Sequence, residues 1–431
     1  MKITERKTCR ACQMDLPEEN VLSLGSHEVV DFVQLLDEGR GQAPLDLVVC
    51  RNSHCNLLQL RHTVDADTLF RKFWYRSGIN EQMKVALKDV VDSVQHYVTL
   101  QGHDVVGDIG SNDGTTLGFF GKELRRVGFE PATELARESQ KPGTKIVNDY
   151  FSAFEALKAS HGRKYKCLLA LAMFYDLDHP EQFLRDVAQV LHPEGVFVVQ
   201  MNYLGLMLRN LTFDNIGHEH LCYYSLSSLQ PLFSRVGLRI VDVEINDVNG
   251  GSFRVYAKPG HHPVEPTVAT LLAEEAEAVN LDAILRFGKR VEQTIGELRI
   301  FIEKLNKQGK KVYAYGASTR GSTLLQAMFP DGKAHDYIAG VAERDERKVG
   351  RRTAGTYLPI VSEQAAREDA DFFLILVYHF WHSISQRERS WMLTGGRCII
   401  PLPRPKVVAL EEVGLGGKFF PVAMDLPQVV A

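Results

Sequence analysis

An apolar strand running straight into a glycine turn, Asp104-Val105-Val106-Gly107-Asp108-Ile109-Gly110, constrains this chain more than any other stretch. Glycine lets the backbone turn tightly from strand to helix and lets a ligand approach the main chain. The turn continues as Ser111-Asn112-Asp113-Gly114, and the surrounding pattern alternates. Before it, Met83, Leu87, Val90, Val91 and Val94 recur at helical spacing across 80–98. After it, the runs from Lys166 to Ala172 and from Val196 to Met201 read as buried strands. The segment from His179 to Leu191 lies between them and reads as a helix with Pro180 in its first turn. Alternating strands and helices predict an α/β fold on a mostly parallel, doubly wound sheet.

A second pattern of the same kind begins at Lys311-Val312-Tyr313-Ala314-Tyr315-Gly316-Ala317-Ser318, with further strands expected at Asp371 to Val377 and Cys398 to Ile400. Between the two lies 263–309, charged, rich in alanine and leucine, and free of proline after Pro266. It predicts one or two long helices bridging domains. The first eighty or so residues read as short and irregular, and the last twenty or so carry no regular pattern. The division expected is 1–79, 80–262, a helical linker 263–309, and 310–431. For 431 residues, two or three domains is the prior at about 150 residues each.

Charge removes some function classes. Fifty basic against 54 acidic side chains leave a net charge of −4, with no basic stripe to neutralise phosphates, so nucleic acid is not an expected partner. No apolar run reaches bilayer length, so no membrane partner is expected. The start, Met1 to Arg6, has no apolar segment after its charges, so it does not read as a secretory signal and a cytoplasmic location is expected. Of the seven cysteines, Cys167, Cys222 and Cys398 are scattered singly, as buried apolar cysteines are. The other four form two close pairs, Cys9 with Cys12 and Cys50 with Cys55. Two such pairs supply a tetrahedral four-sulfur zinc site, closed to water and therefore structural. His54 is the main rival ligand, with His27 behind it.

Twenty residues after Gly110, Glu130 falls at the end of the next strand, where a carboxylate can accept both hydroxyls of a ribose. The G-x-G-x-x-G spacing of dinucleotide sites is absent. Without a pyrophosphate to cradle, an adenosyl sulfonium needs no third glycine. The stretch resembles the first motif of class I methyltransferases, which implies S-adenosylmethionine as donor. Candidate contacts are Asp108, Gly110, Asn112, Asp113 and Glu130, with Asn148 or Asp149 at the adenine and turn roles as their alternative.

Gly217-His218-Glu219-His220-Leu221-Cys222-Tyr223-Tyr224-Ser225 concentrates ionisable and aromatic groups. Its histidines are not four apart on a helix, so a shared metal is not expected there. Together with the cysteine pairs, Tyr75-Arg76-Ser77-Gly78, Asp108 to Gly114, Glu130, Asn249-Gly250-Gly251, Tyr315-Gly316-Ala317-Ser318 and Asp345 to Pro359, it resembles the C-methyltransferases of nucleotide-linked keto-deoxysugars along nearly the whole length. That resemblance implies a zinc-binding module, a class I (Rossmann-like) methyltransferase core and a C-terminal Rossmann-like domain. It also implies His220 as a base removing the proton beside a ketone, Glu219 as a group that orients or polarises it or binds the substrate, and Tyr75 near donor and substrate. An imidazole suits such proton removal near neutral pH.

The remaining candidates follow from the same likeness. Met173 is taken as a donor contact, and Asp176, Tyr224, Asn249, Gly250, Tyr315, Ser318 and Arg320 as substrate contacts. Family members carry Asn and His within the segment that here reads Ala172 to Asp176, and Tyr where this chain has Gly217. These departures leave the sugar's stereochemistry and the methylated carbon open, with C-3 the default and C-5 the alternative. Arg320 stands where lysine is common. A nicotinamide site at Gly316 is disfavoured by the missing third glycine and by the lack of a clear acidic residue after the next strand. The Tyr315 to Ser322 turn reads either as a diphosphate site at a helix N-terminus or as a purely structural turn, and the resemblance favours presentation of the nucleotide-sugar; for the His379, Trp381, His382 cluster a packed loop is the plainer reading. The reading reached is a cytoplasmic, S-adenosylmethionine-dependent, zinc-binding C-methyltransferase of a small nucleotide-sugar, monomeric or a small homo-oligomer. Its rivals are an O- or N-methyltransferase of another small molecule, a C-methyltransferase of a non-sugar ketone, and a non-catalytic zinc scaffold.

Overall fold

A computed structural model of the chain describes residues 1–29, 41–73, 75–412 and 419–425. The strand before the glycine turn, Val105–Ile109, is buried along its length and stands near the middle of a seven-stranded sheet. Thr144–Val147, Arg125–Phe129, Val105–Ile109, Tyr165–Leu171 and Leu191–Asn202 run parallel in that spatial order. Ser252–Pro259 and Leu238–Asn246 close the far edge antiparallel. Strand order reverses at Val105–Ile109, and in open α/β sheets ligands bind at the carboxyl ends beside such a switch point. The glycine turn sits there.

The helices form where the spacing predicts. Glu81–Val94 is capped by Asn80, whose side chain accepts from the Gln82 amide, and it buries Leu87, Val90, Val91 and Val94. Pro180–Val190 has its proline at the first position, where no amide bond is lost. The stretch 263–309 is two helices, Pro266–Ala278 and Leu281–Lys307, the second capped by the Asn280 side chain. A second seven-stranded sheet follows in the order Ile360–Ser362, Val341–Glu343, Val312–Tyr315, Phe372–Ile375, Arg397–Ile400, Lys406–Glu412, Phe419–Asp425. Its first five strands are parallel and its last two antiparallel.

Two regions differ from expectation. The first eighty residues hold a four-stranded antiparallel sheet as well as turns: Leu22–Glu28, Gln42–Val49, Leu58–Leu60 and, from the core, Cys222–Tyr223. The tail contributes the strand Phe419–Asp425, which contains Pro421 and lies at the sheet edge, the position in a sheet where a proline is tolerated.

Candidate active site and zinc centre

The four cysteine sulfurs converge. All lie within 4.8 Å of one another, Cys9 to Cys55 at 3.7 Å and Cys12 to Cys50 at 3.5 Å. Thiolates about 2.3 Å from a tetrahedral zinc stand close to this far apart, so the group fits the ion. Gln59 Nε2 donates to Cys9 Sγ at 3.2 Å, which favours the thiolate. Neither rival histidine joins the cluster: His27 bonds the Leu24 carbonyl through Nε2, and the ring of His54 is not among the groups brought together. Between the first two cysteines, fully buried Arg10 reaches across to the core. Its Nε donates to Asp178 Oδ1 at 2.9 Å and its Nη2 to Thr63 Oγ1 at 2.7 Å, while Nη1 donates to the Leu60 carbonyl.

At the glycine turn, Gly110 has φ of +72°, and a Cβ there would meet the Met173 side chain at 3.3 Å. Met173 therefore faces the turn. Glu130 sits at the expected strand end and already serves the turn: Oε2 accepts from the Asn112 amide at 2.8 Å and Oε1 from the Ala132 amide at 2.7 Å. Asn112 and Asp113 point toward the segment carrying Tyr75. Asn112 Oδ1 accepts from the Ser77 amide at 2.9 Å, its Nδ2 donates to the Tyr75 carbonyl, and Asp113 Oδ2 accepts from the Gly78 amide at 2.7 Å. The turn thus holds 75–78 against the core. Tyr75 itself is 47% exposed, and the atoms crowded about its ring, then the charge of Asp113, raise its hydroxyl. Asp108 is buried below the turn, and burial keeps its carboxyl well above the usual range. Asp149 is paired with Arg71 at 3.1 Å, and Asn148 Nδ2 donates to the Glu130 carbonyl.

In the acid–base cluster the two histidines separate. His218 is buried with Nε2 at 2.9 Å from the Ala43 carbonyl, a tie to the N-terminal sheet. His220 Nδ1 lies 2.7 Å from the Asn215 carbonyl. A carbonyl only accepts, so Nδ1 carries the proton and Nε2 keeps its lone pair. Burial foremost, with Arg320 adding and the Asn215 bond opposing, lowers the His220 pKa to about 4. The ring stands edge-on to Tyr175 at 4.4 Å. Asp176, next in the chain, has a buried Oδ1 without a hydrogen-bond partner, and burial followed by the charge of Glu219 holds its carboxyl well above the usual range. The short segment 173–176 therefore links the donor turn to the acid–base pair.

The other substrate candidates part company. Tyr224 is fully buried with its ring against Phe174, within a cluster that includes Phe183, Phe197 and Phe233. Tyr315 is buried in the second domain, its hydroxyl shared among Glu363, Glu388 and Arg387. Ser318 caps the helix Thr319–Met328 by accepting from the Gly321 amide. Arg320, Asn249 and Gly250 do meet: Arg320 Nη1 donates to the Asn249 carbonyl at 2.8 Å, and Gly250 lies against the same guanidinium. An acidic residue does follow the next strand of the second domain. Glu343 ends Val341–Glu343 and accepts from the Ala317 amide at 2.8 Å, as Glu130 does at the first turn.

Asp214, Asn215, Tyr378, Arg10 and Asp178 escaped the sequence reading. Each works through a partner more than 50 positions away or through its main chain, which leaves no local signature. The nearest signal was two polar residues, Asp214-Asn215, just ahead of the ionisable cluster.

Three family models match the chain: a zinc binding domain over 9–70, a methyltransferase domain over 79–243 and a C-methyltransferase C-terminal domain over 247–403. The C-methyltransferase NovU of Streptomyces niveus is 34% identical over 415 residues, spanning 94% of this chain and 97% of NovU. Among solved structures, an S-adenosylmethionine-dependent methyltransferase from Clostridium acetobutylicum is 11% identical and covers 43% of this chain and 94% of its own, with a TM-score of 0.32. The CcbJ methyltransferase from Streptomyces caelestis is 13% identical, covering 41% and 90%, with a TM-score of 0.31. At such scores the structural likeness carries no argument.

Proposed function

The chain belongs to the C-methyltransferase family with an N-terminal zinc binding domain, and from that premise we propose that it methylates the carbon beside a ketone in a nucleotide-linked deoxysugar. It is an S-adenosylmethionine-dependent C-methyltransferase, and zinc binds at Cys9, Cys12, Cys50 and Cys55. The default carbon is C-3 beside a 4-ketone, with C-5 the alternative. The divisions 1–79, 80–262, 263–309 and 310–431, a monomer or small homo-oligomer, and a reducing cytoplasm belong to the same proposal. Four thiols gathered for a metal and three buried single cysteines support that compartment, and among the described residues no helix is long and apolar enough to cross a membrane.

Glu130, Gly110, Asp108 and Met173 fit the donor: a carboxylate at the strand end, a positive-φ turn and an apolar side chain over it. When bound, S-adenosylmethionine supplies an electrophilic methyl group. His220 Nε2 takes the proton from the carbon beside the ketone, and the electron pair passes into an enolate. Asp176, kept neutral by its burial, donates a hydrogen bond to the enolate oxygen and lowers the cost of that charge. The charge of Glu219 helps keep the proton on Asp176, and Tyr75 remains a neutral phenol beside the donor turn. The observation carrying the reading is the 2.7 Å bond from His220 Nδ1 to the Asn215 carbonyl, which leaves Nε2 free to act as a base.

The test is incubation with donor and a panel of keto-sugar nucleotides in deuterium oxide. Deuterium should enter the carbon beside the ketone before methylation. His220→Asn should lower both exchange and methylation about 10²- to 10⁴-fold, while donor binding persists. Methylation by His220→Asn at the normal rate would favour O- or N-methyl transfer, which needs no enolate.

A further inference from the structure

We propose that Arg320 of the C-terminal domain is a positioning residue for the base, clamping the turn whose main-chain carbonyl sets the His220 tautomer. This deepens the reading above and rests on His220 as base. The resemblance had assigned Arg320 to the substrate; the geometry gives it another occupation. Arg320 Nε donates to Asp214 Oδ2 at 2.9 Å and Nη2 to Asp214 Oδ1 at 3.0 Å, a two-pronged pair. Nη2 also donates to the Tyr378 hydroxyl at 3.2 Å, and Nη1 is spent on the Asn249 carbonyl. Tyr378 in turn donates to Asp214 Oδ1 at 3.0 Å. Four of the donor contacts available to a guanidinium are thus used inside the protein, and the Asp214 side chain is 1% exposed.

The turn so held is the short helix Phe213–Asn215, with Ile216 after it. Arg320 grips it one residue before Asn215. One residue after, Thr323 Oγ1 donates to the Ile216 carbonyl at 2.9 Å. Both grips come from one face of the helix Thr319–Met328, so a helix of the second domain fixes Asn215 from either side. The Asn215 carbonyl is the acceptor for His220 Nδ1–H. If that carbonyl turns away, Nδ1 loses its acceptor, the proton becomes free to move to Nε2, and the nitrogen meant to accept a proton becomes a donor. The methyltransferase core therefore does not own its base alone: the second domain must be docked for the imidazole to be in its working form.

The experiment reads the ring ¹⁵N shifts of His220 in the full-length, zinc-loaded protein with ¹⁵N-labelled histidine, without donor or substrate, His220→Asn serving to assign the resonances. The wild type should show a protonated Nδ1 and a bare Nε2. Arg320→Gln should bring the two shifts toward those of exchanging tautomers, with Arg320→Lys intermediate, and should lower kcat about 10- to 100-fold with KM near its normal value. Thr323→Val, which removes one hydroxyl and keeps the side-chain shape, should move the shifts the same way by less, and decides the matter should Arg320→Gln fail to fold. Wild-type shifts in a folded Arg320→Gln, or a raised KM with unchanged kcat, would overturn the proposal and return Arg320 to the substrate. Because the shifts are read without substrate, a failure of every keto-sugar nucleotide to turn over would sink the substrate reading and leave this one standing.

Discussion

Burial holds three imidazoles, His27, His220 and His379, at a pKa of about 4 against an ordinary value of 6.5. In each case desolvation is the leading cause, because a charged ring loses more on leaving water than a neutral one. Between pH 4 and 6.5 the unfolded chain therefore binds protons that the folded chain refuses. Stability contributed by these groups is complete above pH 6.5 and is lost as the pH falls toward 4. Asp108 and Asp176, held protonated in the fold, act in the opposite sense, so the imidazole share is read by difference, from how the slope of melting temperature against pH between 4 and 6.5 changes when one imidazole is removed. His220→Asn should make that slope less positive; an unchanged slope would mean that His220 takes up its proton in the folded protein as it does in the unfolded chain. The same neutrality leaves the Nε2 lone pair bare throughout the neutral range, while a pKa of about 4 makes it a weaker base than an ordinary imidazole.

At the level of elements, the acid–base segment is not free-standing. Cys222–Tyr223, two residues beyond His220, is the edge strand of the N-terminal sheet, pairing Cys222 with Gln59 and Tyr223 with Leu58. Leu58–Leu60 begins three residues after Cys55, and Gln59 also donates to Cys9. The cysteine cluster, the sheet and the loop carrying His220 therefore form one continuous piece. Cys55→Ser should abolish stoichiometric zinc, measured by metal analysis, and lower turnover with it, since the sheet edge anchoring the loop is no longer stapled. Full activity in a zinc-free variant would show that the sheet holds without its metal. A milder version is Gln59→Leu, which should retain zinc while weakening its hold, read as faster loss to a chelator, with about 10- to 100-fold lower affinity.

Across the whole molecule, the helix Leu281–Lys307 is the common wall. At Gly288 an added Cβ would sit 2.1 Å from the Val21 carbonyl of the N-terminal module, a backbone atom that cannot swing aside. Arg290 donates to the Leu208 carbonyl of the core, and Arg299 to the Met328 carbonyl of the second domain. The Gln326 side chain accepts from the Glu28 amide, so the outer two domains also touch. Gly288→Ala should destabilise the protein by about 1–3 kcal/mol in denaturant unfolding, because overpacking against main chain outweighs the helix propensity gained. A more stable variant would mean that the helix and module can part at little cost.

The sequence by itself determined the features that have a local period or a local turn. The parallel core sheet, the glycine turn with Glu130 at the next strand end, the two long helices and the four sulfurs all follow from spacing within some fifty residues. It hid the N-terminal sheet, where Pro44 inside Gln42–Val49 reads as a breaker, and the tail strand holding Pro421. What only the tertiary structure decided is which polar groups meet. Arg10 with Asp178 spans 168 positions and Arg320 with Asp214 spans 106. No periodicity encodes such pairs, since each partner alone looks like an ordinary charged residue. The same holds for Tyr224 and Tyr315, whose type fits a binding site but whose packing consigns one to an aromatic core and the other to a buried network. Chain pattern sets the elements; only their docking sets which imidazole nitrogen holds the proton.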